Sequence, residues 1–126
     1  MPRKKPEQLT PLELEIMQVL WESGPANVQT VQRLLARPLA YTSVQTMLNV
    51  LQRKRKVKRT LKDKAYFYRP AVSRGQVTGH AIGDLIDRMF GGSAENLVMG
   101  LLHTKHLTKE KLSQLNKLIE EGEDDD

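Results

Sequence analysis

The chain has no cysteine. That excludes disulfides, thiol nucleophiles and cysteine-ligated zinc or copper, and is compatible with a reducing, cytoplasmic setting. It has no run of 18 apolar residues, so no membrane-spanning helix is expected. The opening Met1-Pro2-Arg3-Lys4-Lys5-Pro6 is basic, but no apolar segment follows, so no secretory leader is expected. Catalytic signatures are missing too. There is no Ser/His/Asp constellation in a supporting context, no phosphate-binding glycine loop and no HExxH. Glu13 and Glu15 sit at a helix start and have a structural explanation. No enzyme, catalytic residue or cofactor is expected.

What is present is a chain of 126 residues with 39% hydrophobic and 28% charged positions. That suits one small domain plus an appended element, with a modest core. Acid is scarce in the first part. Residues 1–70 carry 14 Lys/Arg against 5 Asp/Glu, whereas residues 71–126 carry 6 against 10. A basic half joined to an acidic half suggests two tasks, and the basic half suits a polyanion.

Thr10-Pro11-Leu12-Glu13 reads as a capping box with proline in the first turn, and Leu12, Ile16, Val19 and Leu20 follow at helical spacing up to Trp21, a core candidate. Gly24-Pro25 stops that helix. Asn27 caps a second, with Val28, Val31, Leu34 and Leu35 on one face, ended by Pro38. Thr42 or Ser43 caps a third, whose stripe is Val44, Met47, Leu48 and Leu51. Its other face, Gln45, Thr46, Asn49, Gln52 and Arg53, is polar and free of acid. A solvated face is one reading. The other is a face for base edges, since Gln and Asn match adenine and Thr meets a thymine methyl.

Eight basic residues then fall within the twelve positions from Arg53 to Lys64. Such a run also occurs in tails and targeting signals, but here strand-like sequence surrounds it. Val57 to Leu61, a turn at Lys62-Asp63-Lys64, and Ala65 to Arg69 read as a two-stranded ribbon closed by Pro70. The turn has no glycine. The order helix, helix, helix, hairpin is that of a winged helix-turn-helix. The third helix would enter the major groove, and the wing would carry Arg59, Lys62 and Lys64 along phosphates. Arg3, Lys4 and Lys5 form either a flexible arm or a solubilising end.

Beyond Pro70, Ser73-Arg74-Gly75-Gln76 is another capping box. It leads a helix with Val77, Ala81, Ile82, Leu85, Ile86, Met89 and Phe90 on a wide apolar stripe. Gly91-Gly92 breaks it. Ser93 caps the next, with Leu97, Val98, Leu101 and Leu102 expected buried. Thr108 caps the last, which carries Leu112, Leu115, Leu118 and Ile119 and ends at Gly122. About 50 residues rarely bury enough surface alone. The stripes either pack on the winged helix of the same chain or bury against a second copy in a C₂ dimer. The fold class expected is mainly α with a small β-hairpin. A winged helix over 1–70 precedes a helical dimerisation region over 71–122 and a disordered acidic tail over 123–126.

Leu9-Thr10-Pro11-Leu12-Glu13 with Ile16-Met17 and Leu20-Trp21 resembles the opening of the penicillinase-repressor family, the BlaI/MecI/CopY group. Tyr41-Thr42-Ser43-Val44-Gln45-Thr46-Met47-Leu48-Asn49 resembles its recognition helix. Ala65-Tyr66-Phe67-Tyr68-Arg69-Pro70 resembles its wing strand, and Phe90-Gly91-Gly92-Ser93 with Leu97-Val98 its C-terminal region. The resemblance covers nearly the whole chain. It implies a homodimeric bacterial repressor on a palindromic operator. Thr42, Ser43, Gln45, Thr46 and Asn49 would read bases. Arg53, Lys54, Arg59, Lys62, Lys64 and Tyr66 would contact the DNA backbone. Leu85, Met89, Leu97, Val98, Leu101, Leu112, Leu115, Leu118 and Ile119 would form the dimer interface.

In antibiotic-responsive members of that family a membrane-bound sensor protease leads to cleavage in the dimerisation region, at a bond resembling Asn-Phe. The matching positions here are Gly100 and Leu101. The copper-sensing branch uses C-terminal cysteines, which this chain lacks. His80, His103 and His106 remain, with no carboxylate near the last two, and no metal site is expected. The family often has glycine just after the recognition helix. This chain has Arg55-Lys56, from which a less sharp turn is expected. Two other function classes are open: an architectural or RNA-binding winged helix without sequence preference, and a protein-interaction module that uses the C-terminal stripe with a different partner.

Overall fold

The computed structural model describes residues 8–124, and side chains as far as Gly122. The Arg3, Lys4 and Lys5 arm lies outside the described residues, as do residues 125–126. Elements run α1 (Pro11–Ser23), α2 (Val28–Leu34), α3 (Tyr41–Arg53), β1 (Val57–Lys62), β2 (Ala65–Pro70), α4 (Arg74–Met89), α5 (Ala94–His103) and α6 (Lys109–Asp124). The chain is mainly helical with one antiparallel hairpin, as expected for a winged helix.

Local capping explains most boundaries. At α1 both halves of the box form: the Glu13 amide donates to Thr10 Oγ1 at 3.2 Å, and the Thr10 amide donates to Glu13 Oε1 at 2.9 Å. Asn27 caps α2 through the Thr30 amide at 2.8 Å. The start of α3 departs from expectation. Its N-cap is Ala40, with no side-chain cap, so Thr42 and Ser43 lie inside the first turn rather than capping it. The α2–α3 connection is held from within, where the Gln32 side-chain amide donates to the Leu39 carbonyl at 2.9 Å.

One core joins the three helices to the base of the wing. Ile16, Met17 and Leu20 of α1 meet Val28 and Val31 of α2, Val44, Leu48 and Leu51 of α3, and Val57 and Tyr68 of the hairpin. Each such apolar side chain, fully buried, contributes roughly 1.5–3 kcal/mol before entropy is counted. Leu34, expected on the buried face of α2, is 44% exposed, because α2 ends there and Leu35 turns inward instead. Ala26 pairs with Tyr68 through two backbone hydrogen bonds of 3.0 and 2.8 Å, adding a short third rung beside β2. This ties the α1–α2 connection to the wing.

The hairpin pairs Val57 with Pro70 through to Lys62 with Ala65. Its two-residue loop is Asp63-Lys64, with φ of 53° and 67°. Two positive φ values make it a type I′ turn, whose twist matches the strands. Asp and Lys take the left-handed conformation without glycine.

The chain divides into two compact units that part between Ala81 and Ile82, inside α4; the sequence reading placed the junction at Pro70. The first turn of α4 is anchored within the first unit. Its capping box forms, with the Ser73 and Gln76 amides bonded at 2.8 and 3.0 Å. The Trp21 indole donates to the Val72 carbonyl at 3.0 Å, and the Arg74 guanidinium lies 5.4 Å from the Trp21 ring centroid.

In the second unit Gly91 and Gly92 take φ of 57° and 83° between α4 and α5. Ser93 caps α5 through the Asn96 amide, and Thr108 caps α6 through the Lys111 amide. No residue of α4 or α5 is buried, and α6 is exposed from Lys109 to Gly122. Leu97, Leu101 and Leu102, expected buried, are half-buried, and Val98 is exposed. The helix α6 runs through Gly122 to Asp124. Gly122 has no positive φ to end it there. No helix among the described residues is long and apolar enough to cross a membrane.

Candidate nucleic-acid interface

The α3 helix turns about 100° per residue, which separates its two faces cleanly. Val44, Leu48 and Leu51 are fully buried, with Met47 half-buried at the edge. On the outer side Thr42, Gln45, Thr46, Asn49 and Arg53 form one exposed arc, with Ser43 at its margin. The arc contains no acid. It presents amides and hydroxyls that both donate and accept, with a cation at its C-terminal end. The structure brings together all five residues expected to read bases.

The turn from α3 into β1 is sharper than the sequence reading expected. The Arg55 amide donates to the Gln52 carbonyl at 2.9 Å, and the Lys56 amide to the Leu51 carbonyl at 2.8 Å. These two bonds make a Schellman stop, with Arg55 at φ 64° in the position usually held by glycine. The backbone bonds set the geometry, and the missing glycine costs strain rather than shape.

The basic run divides once it is folded. Arg53, Arg55, Lys58, Arg59, Lys62, Lys64 and Arg69 are exposed. Lys54 turns inward, correcting its expected place on the DNA backbone. Its ammonium donates to Glu13 Oε1 and Oε2 at 2.9 and 3.0 Å, with only 18% of the side chain exposed. A buried carboxylate requires a partner, and Lys54 supplies it. Burial pushes the Glu13 carboxyl up, but the Thr10 amide and the Lys54 ammonium outweigh it. The group is therefore held below the ordinary glutamate range.

Strand periodicity divides the wing as well. Lys58 and Lys62 share a face with Arg69, whereas Arg59 lies on the other face with Leu61, Tyr66 and Tyr68. The expected backbone set of Arg59, Lys62, Lys64 and Tyr66 is thus spread over both faces and the tip. Lys58 and Arg69, absent from that expected set, are exposed beside Lys62, where counting alternate residues outward from the turn also places them. The Arg59 guanidinium sits over the Tyr66 ring, 4.1 Å from its centroid.

His103 and His106 are exposed at the α5–α6 junction, where His106 Nδ1 lies 2.7 Å from Thr104 Oγ1. No group of three or more His, Asp or Glu residues suited to a metal ion occurs among the described residues.

Residues 9–121 match a family model described as penicillinase repressor. A curated penicillinase repressor from Bacillus licheniformis is 24% identical over 120 residues, covering 94% of each chain. A crystal structure of the transcriptional regulator Tm0710 from Thermotoga maritima is 26% identical with a TM-score of 0.50, covering 91% of this chain and 74% of that one. The solution structure of the Bacillus licheniformis BlaI monomeric form, in complex with the blaP half-operator, is 27% identical with a TM-score of 0.49. It covers 58% of this chain and 92% of that one.

Proposed function

Because the chain belongs to the penicillinase repressor family and is a DNA-binding transcriptional repressor rather than an enzyme, we propose that it acts as a homodimer on a palindromic operator. One observation carries the reading: an acid-free arc of Thr42, Ser43, Gln45, Thr46 and Asn49 lies exposed on α3, beside a wing rich in cations. An α-helix fits the major groove, where Gln and Asn bond two edges of adenine and Thr meets thymine. Arg53, Lys58, Lys62, Lys64 and Arg69 neutralise phosphates and set the register.

The second copy is the natural cover for the C-terminal helices. Leu85, Met89, Val98, Leu112, Leu115, Leu118 and Ile119 are exposed apolar side chains, with Leu97 and Leu101 half-buried beside them. Helices that leave this much apolar surface in water gain by pairing. Dimerisation in turn links two half-site contacts, so binding exceeds either alone by avidity.

Relief then follows from any signal that separates the copies, including proteolysis in the C-terminal region answering a membrane-bound sensor protease. The positions for such a cut are Gly100 and Leu101. Both lie in α5, where a Cβ on Gly100 would stand 3.2 Å from the Phe90 ring. A protease that takes its substrate extended requires α5 to open there first. The site of action is the cytoplasm, where a bacterial repressor meets its operator.

The test is a titration of the full chain against its own upstream DNA and against random DNA at two salt concentrations, with the mass of the complex recorded. Selective binding of two chains per site supports the proposal. Equal binding to both, collapsing with salt, means that an architectural role prevails.

A further inference from the structure

The two faces of the wing differ in chemistry. Register places Val57, Arg59 and Leu61 opposite Pro70, Tyr68 and Tyr66 on one side of the ribbon. Near the base this side is core, since Val57 and Tyr68 are buried. Toward the tip it is open. Leu61 is 61% exposed and Tyr66 42%, and the Arg59 guanidinium carbon lies 4.1 Å from the Tyr66 ring centroid. No carboxylate pairs with Arg59 among the described residues, whose ion pairs involve Arg37, Lys54, Arg74 and Arg88. The cations suited to phosphates, Lys58, Lys62 and Arg69, occupy the opposite side.

A guanidinium held on an aromatic face differs chemically from those lysines. It is planar, more weakly hydrated than an ammonium, and already restricted in its rotamers by the ring. Those properties suit a narrow minor groove, where the potential is most negative and a strongly hydrated ammonium gives up more water. The minor groove of a G·C pair carries an exocyclic amino group, which A·T pairs lack.

We infer that Arg59, held by Tyr66, enters the minor groove beside the α3 site and makes the repressor favour base pairs without that amino group. Tyr66 is a positioning residue. It acts through Arg59, and its ring rather than its hydroxyl is what matters. Both side chains thereby leave the set of simple backbone contacts. The inference rests on the DNA-binding reading above.

The experiment uses the full chain and two duplexes, one alternating guanine–cytosine and one with inosine in place of every guanine. They differ only in the amino group of the minor groove. The native chain is expected to bind the inosine duplex more tightly. Tyr66→Leu lowers that preference roughly two- to fivefold, the Boltzmann factor of an exposed cation–π contact. Tyr66→Phe keeps it. Arg59→Lys retains the charge but loses the preference, and this second variant carries the test if Tyr66→Leu fails to fold. A native preference of one overturns the inference. So does Tyr66→Leu weakening both duplexes alike, or Tyr66→Phe behaving as Tyr66→Leu. Binding to the upstream fragment but to neither duplex overturns this inference alone; absence of binding to the upstream fragment as well overturns the DNA-binding reading and this inference with it.

Discussion

Glu13 and Lys54 join the first turn of α1 to the end of α3 by a two-pronged ion pair, with both carboxylate oxygens accepting from one ammonium. The same carboxylate accepts from the Thr10 amide, so it completes a helix cap and fastens two helices at once. The pair thus fixes the C-terminal end of α3 against the start of α1.

Lys54→Ala leaves Glu13 buried without its ammonium. We expect a loss of roughly 3 kcal/mol of stability, measured by urea unfolding. The salt dependence of DNA binding by the folded fraction stays as in the native chain. Lys62→Ala does the reverse: stability holds, and the slope of log K against log salt falls by about one.

Acid sensitivity follows from the same carboxylate. Its folded pKa lies below the ordinary glutamate value of 4.5. Protonation therefore favours the unfolded chain. The contribution is fully present above about 4.5 and is lost as pH falls through the folded value. Thermal unfolding midpoints between pH 6 and pH 3 are expected to drop more steeply for the native chain than for Glu13→Gln. Parallel curves would show that Glu13 is not the group responsible.

On α3, Gln45→Ala or Asn49→Ala is expected to cost roughly 1–3 kcal/mol on the operator and to relax selectivity at one base pair. Binding to random DNA changes little. Competition titrations report the ratio directly, and equal losses on both DNAs would place these side chains outside the base contacts.

Arg55 sits at φ 64° in the Schellman stop after α3. Arg55→Gly removes a left-handed strain of about 1 kcal/mol, so the unfolding midpoint rises. The salt slope of DNA binding stays as in the native chain, because Arg55 is outside the set of cations placed on phosphates. A variant less stable than the native chain would mean that the Arg55 side chain makes a contact worth more than the strain.

Leu115 is 40% exposed on α6. Leu115→Asp is expected to shift the chain from dimer to monomer in sedimentation, with the winged helix still folded by circular dichroism. Operator binding then weakens through lost avidity. A dimer of unchanged strength would remove α6 from the interface.

Much of the fold was legible because its signals are local. The boxes at Thr10 and Ser73, and the caps at Asn27, Ser93 and Thr108, each join residues three apart, so sequence order alone brings the partners together. The stripe of Val44, Leu48 and Leu51 was legible for the same reason, and its complement displayed the polar arc. The start of α3 was not. Thr42 and Ser43 both look like caps, yet Ala40 takes the position because the Gln32–Leu39 bond and the burial of Val44 hold the backbone there. Leu34 looked buried until the helix ended beneath it.

By itself, the sequence determined the order of elements, the wing after the recognition helix, the acid-free face and the family resemblance. Each of these depends on spacing along the chain. The tertiary structure alone decided which cations face outward. Lys54 and Arg53 are neighbours in sequence, but a buried carboxylate forty-one positions away claims only Lys54. Arg59 and Lys62 belong to one basic run, but pleating sends them to opposite faces of the wing. Charge adds along a sequence regardless of direction, whereas a surface requires direction, and direction comes from long-range pairing and burial.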